Sequence, residues 1–124
     1  MRSFFEVGTN TYWDTHYTFD KISPKRKKHL GATAIDTILI NTVVPFLFLY
    51  GNLRDDETQR DKALRWLEQL PAESNAIIAV YETLQILPQN AAQSQALLQL
   101  KKNYCNPKNC LQCAIGAKIL TKSV

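Results

Sequence analysis

The sequence contains no Walker loop, no glycine-rich dinucleotide loop and no zinc-protease motif. Glycine is scarce, with four in 124 residues. No segment alternates apolar and polar residues with period two, which argues against an extended sheet. No motif recurs at a fixed period, so a superhelical repeat array is not supported. The strongest apolar stretch, Ile38 to Tyr50, is shorter than the roughly 20 residues of a membrane span and is expected to be a buried core helix. Met1 to Glu6 carries no apolar run and gains an acid early, so no export signal is expected. Cysteine numbers only three, and an odd count argues against a secreted disulfide framework. The expectation is a cytoplasmic protein in a reducing compartment, without membrane association.

What is present fits one globular domain. The apolar fraction of 45% and charged fraction of 21% are near average. A net charge of +4 supports solubility and allows approach to anionic partners without proving that they bind. Residues 1–30 read as an arm rich in aromatic and basic residues, and residues 31–124 as a helical domain. Phe4, Phe5, Tyr12, Trp13, Tyr17 and Phe19 suit an arm anchored by rings, with a short helix near Thr9 to Tyr17 capped by Thr9 or Asn10.

Five helices are predicted, packed as antiparallel hairpins because their connections are short: an all-α fold. The first runs from about Thr33 to Tyr50, kinked or divided at Pro45 and ended by Gly51-Asn52. Asn41 within it needs a hydrogen-bond partner. The second runs from about Asp56 to Leu70, capped by Asp56 with Gln59, with Ala63, Trp66, Leu67 and Leu70 on one face. The third covers Ser74 to Ile86, with Ile77, Val80, Tyr81 and Leu84 facing inward. The fourth covers about Asn90 to Tyr104, and the fifth starts after Asn109 and reaches about Leu120, following a turn at Asn106-Pro107. Ile40, Val43, Leu47, Leu64, Leu67, Ile77, Val80, Leu84, Leu97 and Ile115 are expected to be buried together.

One chemical site stands out. All three cysteines, Cys105, Cys110 and Cys113, lie within nine residues with C-x4-C-x2-C spacing. A reversal at Asn106-Pro107 would bring their sulfurs to one helical hairpin. Cys110 and Cys113, one turn apart on the fifth helix, would sit near its positive N-terminal end, with Lys101, Lys102 and Lys108 nearby. That environment suits zinc or an iron–sulfur cluster. Such sites take four ligands, so a fourth would be required, with His16 the first choice and His29 the second. Two alternatives stand beside it. Cysteine is often a small core hydrophobe, in which case Cys113 would pack with Ala117 and Cys105 would point elsewhere. A redox-active thiol pair is the other, although C-x2-C outside a thioredoxin-like setting is weak evidence.

Lys25, Arg26, Lys27 and Lys28 form a basic run that could contact nucleic-acid phosphates, with Tyr17 and Phe19 to stack on bases; a solvated loop is the plainer reading. Asp14 with His16 lacks a nearby nucleophile for acid–base work. Asp55-Asp56-Glu57 reads as an acidic cluster at a helix N-terminus.

Several stretches together resemble the C-terminal part of a bacterial family called domain of unknown function 2851. They are Tyr12 to Tyr17, Ile40 to Leu47, Tyr50-Gly51, Leu67 to Pro71, Ser94 to Leu97, and Tyr104-Cys105 through Ile115-Gly116. The resemblance covers nearly the whole chain, cysteines included. It implies a fragment or stand-alone version of a longer protein, and it implies no activity. The expected function is a non-enzymatic helical interaction or scaffold module, possessing at most a cysteine-bound structural metal. Its partner would be another protein or the family's N-terminal region. The alternative is a nucleic-acid-binding accessory domain, in which residues 25–28 and the lysines near the cysteines form one surface. An enzyme using Cys110 as nucleophile is a distant third.

Overall fold

The computed structural model describes residues 2–122. The order of elements is a short 3-10 turn at Arg2–Phe5, a second at Thr11–Asp14, a hairpin of β1 (His16–Thr18) and β2 (Lys21–Ile22), then six α-helices. These are α1 (Ala32–Ile38), α2 (Val44–Arg54), α3 (Glu57–Gln69), α4 (Ala76–Thr83), α5 (Ala91–Leu100) and α6 (Ala114–Lys122). The fold is all-α apart from the two-stranded antiparallel hairpin. The chain packs as two units, residues 1–43 and 44–124.

In the first unit Asn10 caps the 3-10 turn by accepting a hydrogen bond from the Tyr12 amide. Asp20, in the left-handed region at φ 60°, turns the hairpin, a conformation that Asp tolerates better than bulkier residues. Trp13 meets Tyr12 and Phe19 edge-on, each with ring centroids 5.2 Å apart. The aromatic arm thus stacks on itself in the geometry that the ring quadrupole favours. Ile35, Leu39 and Ile40 are buried on one side of the following helix, and Arg2 forms two 2.8 Å bonds to the carboxylate of buried Asp36. This ion pair was not foreseen, because 34 residues separate its members.

Residues 39–43 form a π-helical segment between α1 and α2, so helical structure runs unbroken from Ala32 to Arg54 over 23 residues. Pro45 therefore does not divide the helix. A proline lacks an N–H and crowds the carbonyl four residues back, and the wider π turn just before it relieves that conflict. The Asn41 side chain donates to the Thr37 carbonyl one turn earlier. The helix is also longer than the apolar stretch in the sequence suggested. By length and composition it could cross a membrane, a test that the core helix of a soluble protein also meets.

In the second unit Gly51 does not end α2. It is buried at a close approach to α3: a Cβ there would stand 2.9 Å from Arg60 Cγ and from the Asp56 carbonyl. Asp55, left-handed at φ 51°, reverses the chain, and the Asp56 side chain caps α3 by accepting from the Gln59 amide at 3.3 Å. Asn75 caps α4 through two 3.0 Å bonds and Asn90 caps α5. The Ala91 amide donates to the Leu70 carbonyl at 2.9 Å, tying the start of α5 to the end of α3. Val44, Ala63, Leu70, Ile78, Ala91 and Ser94 make the buried centre. Ser94 is fully satisfied there, donating to the Ala91 carbonyl and accepting from the Glu73 amide.

This centre is much smaller than the sequence led one to expect. Of the ten residues expected in the core, Ile40 is buried, while Val43, Leu47, Leu67 and Leu97 are half-buried. Leu64, Ile77, Val80, Leu84 and Ile115 are exposed. Helix α4 presents its opposite side, burying Ile78 at 1% exposure and leaving Val80 at 60%. The sequence offers two apolar faces on this helix, and periodicity alone does not rank them.

Candidate functional site

The three cysteines come together, though not as expected. After α5 the chain continues through a π-helical segment, Lys101–Cys105, whose last residue is the first cysteine. The Lys108 amide then bonds to the Cys105 carbonyl at 3.1 Å, and the Asn109 amide to the Tyr104 carbonyl at 2.9 Å. Lys108 adopts the left-handed conformation, φ 59°, that completes this reversal. Cys110 opens a 3-10 turn, Cys110–Gln112, and Cys113 is extended before α6 begins at Ala114. Cys110 and Cys113 thus do not share a helix, and the helix end expected to polarise them begins only after both.

Cys105, Cys110 and Cys113 line one apolar pocket of about 160 Å³ with Leu100, Tyr104 and Ile115. Gly116 closes its floor: a Cβ there would run into the Cys110 carbonyl group. Packing of all three thiols around one space differs from the arrangement in which Cys105 points away. Cys105 and Cys110 are exposed and Cys113 is half-buried. Burial raises the Tyr81 hydroxyl above its ordinary value of 10.0, and the charge of and a hydrogen bond with Cys105 act in the same direction.

No three of His, Cys, Asp and Glu among the described residues are grouped so that they could hold a metal ion. His16, the first choice as fourth ligand, belongs to the first unit. Its ring stacks on Tyr12 with centroids 4.0 Å apart and planes 6° from parallel. Its Nδ1 lies 2.9 Å from the Tyr12 carbonyl and 3.0 Å from Thr15 Oγ1. A carbonyl only accepts, so the proton belongs on Nδ1. His29 lines a different pocket, of about 300 Å³, with Lys25, Lys27, Lys28, Asp14 and Thr9.

The feature that sequence reasoning missed is the amount of apolar surface left outward. On α2, Val44, Leu47 and Gly51 turn inward, while Phe46, Leu49, Tyr50 and Leu53 are exposed. These exposed residues recur at intervals of three and four, the spacing of one helical face. Ile77, Val80 and Leu84 repeat the pattern on α4, and Ile115 and Ile119 on α6. The all-round apolar character of residues 38–50 was the available signal; it was read as complete burial.

The fold and these sites define a small helical protein with three apolar-faced helices, a thiol-lined pocket and no recognisable reaction centre among the described residues. A family model for a protein of unknown function (DUF2851) matches residues 1–76, and the chain belongs to that family. The matched span includes the aromatic arm and helices α1 to α3. It stops before the segments at 94–97 and 104–116, so the cysteines lie outside it. No curated protein and no solved structure gives a significant match.

Proposed function

We propose that the chain is a non-enzymatic helical interaction module that docks a protein partner through the outer faces of α2 and α4. The observation carrying this reading is the exposed stripe Phe46, Leu49, Tyr50 and Leu53, in which Leu53 is 77% exposed. Large apolar side chains scattered singly on a surface need no explanation; a continuous helical stripe of them does. A partner helix laid along such a stripe would anchor at positions spaced three, four and seven apart, and removal of that apolar area from water would drive association. A cytoplasmic setting is compatible with this reading, in which residues 32–54 serve as a packing helix.

The test uses the full chain with a photoreactive amino acid at Leu53 in its native host. A discrete protein adduct is expected, and it should disappear when Phe46 and Leu49 are both replaced by Gln. The double variant should keep its urea midpoint, because both residues are exposed. A midpoint that falls as for a core substitution would mean that the stripe is internal, and would refute docking.

A further inference from the structure

A pocket in the first unit gathers basic side chains. Lys25, Lys27, Lys28 and His29 line it, with Asp14 as its one carboxylate. Arg26 lies between two of the lysines in the chain. The ion pairs among the described residues are Arg2–Asp36 and Arg60–Asp55, so Lys25, Arg26, Lys27 and Lys28 are paired with no acid. One backbone and one side-chain bond hold the pocket walls: the Arg26 amide donates to the Asp14 carbonyl at 2.7 Å, and Thr9 Oγ1 donates to the Lys28 carbonyl at 3.4 Å. A run of four cations without a salt-bridge partner among the described residues leaves this surface positive, which favours an anion beside it.

An aromatic ring stands beside this charge. The Lys28 ammonium lies 3.5 Å from the centroid of the Tyr17 ring. Tyr17 is exposed, and so is Phe19. Contacts from Phe19 to Trp13 and Tyr12 hold its ring in place. Pre-ordered rings are available for stacking at little further cost in side-chain freedom.

We propose that this surface binds single-stranded nucleic acid, with backbone phosphate seated among Lys25, Lys27 and Lys28 and neighbouring bases stacked on Tyr17 and Phe19. Phosphate provides the charge that the lysines lack, and unpaired bases provide π-faces that a duplex keeps inside its stack. The Asp14 carboxylate, an acceptor on the pocket wall, suits an exocyclic amine or a ribose hydroxyl. A concave site of about 300 Å³ suits a nucleotide unit better than a flat bilayer, which needs a protruding basic face. This site uses none of the residues assigned to protein docking, so either assignment can fail alone.

The experiment is fluorescence anisotropy of the full chain with labelled single-stranded DNA and RNA, the matching duplexes, and anionic phospholipid vesicles as competitor. Three phosphate contacts on a single strand predict an affinity loss of about 20-fold between about 50 and about 200 mM salt. The variant Lys25→Gln/Lys27→Gln alters two exposed side chains and should keep its circular dichroism. It should weaken binding at least about 10-fold and flatten the salt dependence by roughly two-thirds. Tyr17→Leu should cost about 5-fold or more with the salt dependence retained, which separates stacking from charge. Absence of binding at low salt, unchanged affinity in the lysine variant, duplex bound as tightly as single strand, or displacement by vesicles at lower concentration than by unlabelled oligonucleotide would each overturn the proposal.

Discussion

Ile78 and Val80 are two residues apart on α4, and the structure gives them opposite fates. Ile78 is 1% exposed and Val80 60%. Replacing Ile78 by Ala removes three carbons from a side chain that is almost wholly buried and leaves a cavity in the small core of the second unit. The expected loss is about 2–5 kcal/mol. Val80→Ala deletes two carbons already in water and exchanges a β-branched residue for the best helix former, so its effect should stay within about 0.5 kcal/mol and can be stabilising. Urea denaturation read through Trp66 fluorescence, in a Trp13→Phe background so that α3 alone reports, measures both. With an m-value of about 1.5 kcal/mol/M, a loss of 3 kcal/mol lowers the midpoint by about 2 M. Val80→Ala should move it by less than about 0.4 M on the same scale. Equal losses at the two positions, or a larger loss at Val80, would show that α4 is rotated from the orientation described, and the exposed stripe on it would no longer be a surface.

Gly51→Ala should destabilise by about 1–3 kcal/mol even though Ala is the better helix former, because the new methyl group meets the Asp56 carbonyl and Arg60 of α3 at 2.9 Å; a melt shows the sign directly. Arg2→Ala should cost about 1–3 kcal/mol by stranding the Asp36 carboxylate, while Lys27→Ala stays within about 0.5 kcal/mol. A chromogenic disulfide reagent should titrate Cys105 and Cys110 quickly and Cys113 more slowly, following their exposure; slow reaction at all three would contradict the open pocket. Tyr81 holds its proton more tightly when folded than its ordinary value of 10.0. The neutral phenol is therefore the form the fold favours: its contribution is intact below pH 10.0 and is lost as pH rises from there through the raised folded value. Phenolate absorbance during alkaline titration should show a late step, and Tyr81→Phe should remove it.

The signals that could be read in the sequence were local. Asp56 capping Gln59, Asn10 capping a short turn and chain reversal after Asn106-Pro107 each depend on a few adjacent residues whose chemistry has one favourable outcome. On α3 the apolar spacing marked Ala63 and Leu70, which are buried, while Leu64, expected in the same core, is exposed. Misreadings arose where a residue could satisfy two environments. Gly51 fits both a helix terminus and a helix contact, and only the proximity of Arg60 decides between them. Pro45 conflicts with a regular α-turn but not with a π turn placed ahead of it. The apolar faces of α2 and α4 pose the same ambiguity at larger scale. A helix with hydrophobic residues on both sides is the expected sequence of a core helix and equally of a helix that packs inward on one side and receives a partner on the other. Composition cannot separate these cases, because the hydrophobic effect has no direction and favours any contact that removes the same area from water. What separates them is whether the chain itself supplies the cover, and in the second unit Ala63, Ile78, Ala91 and Ser94 are buried while Phe46, Leu53, Val80 and Leu84 remain outside.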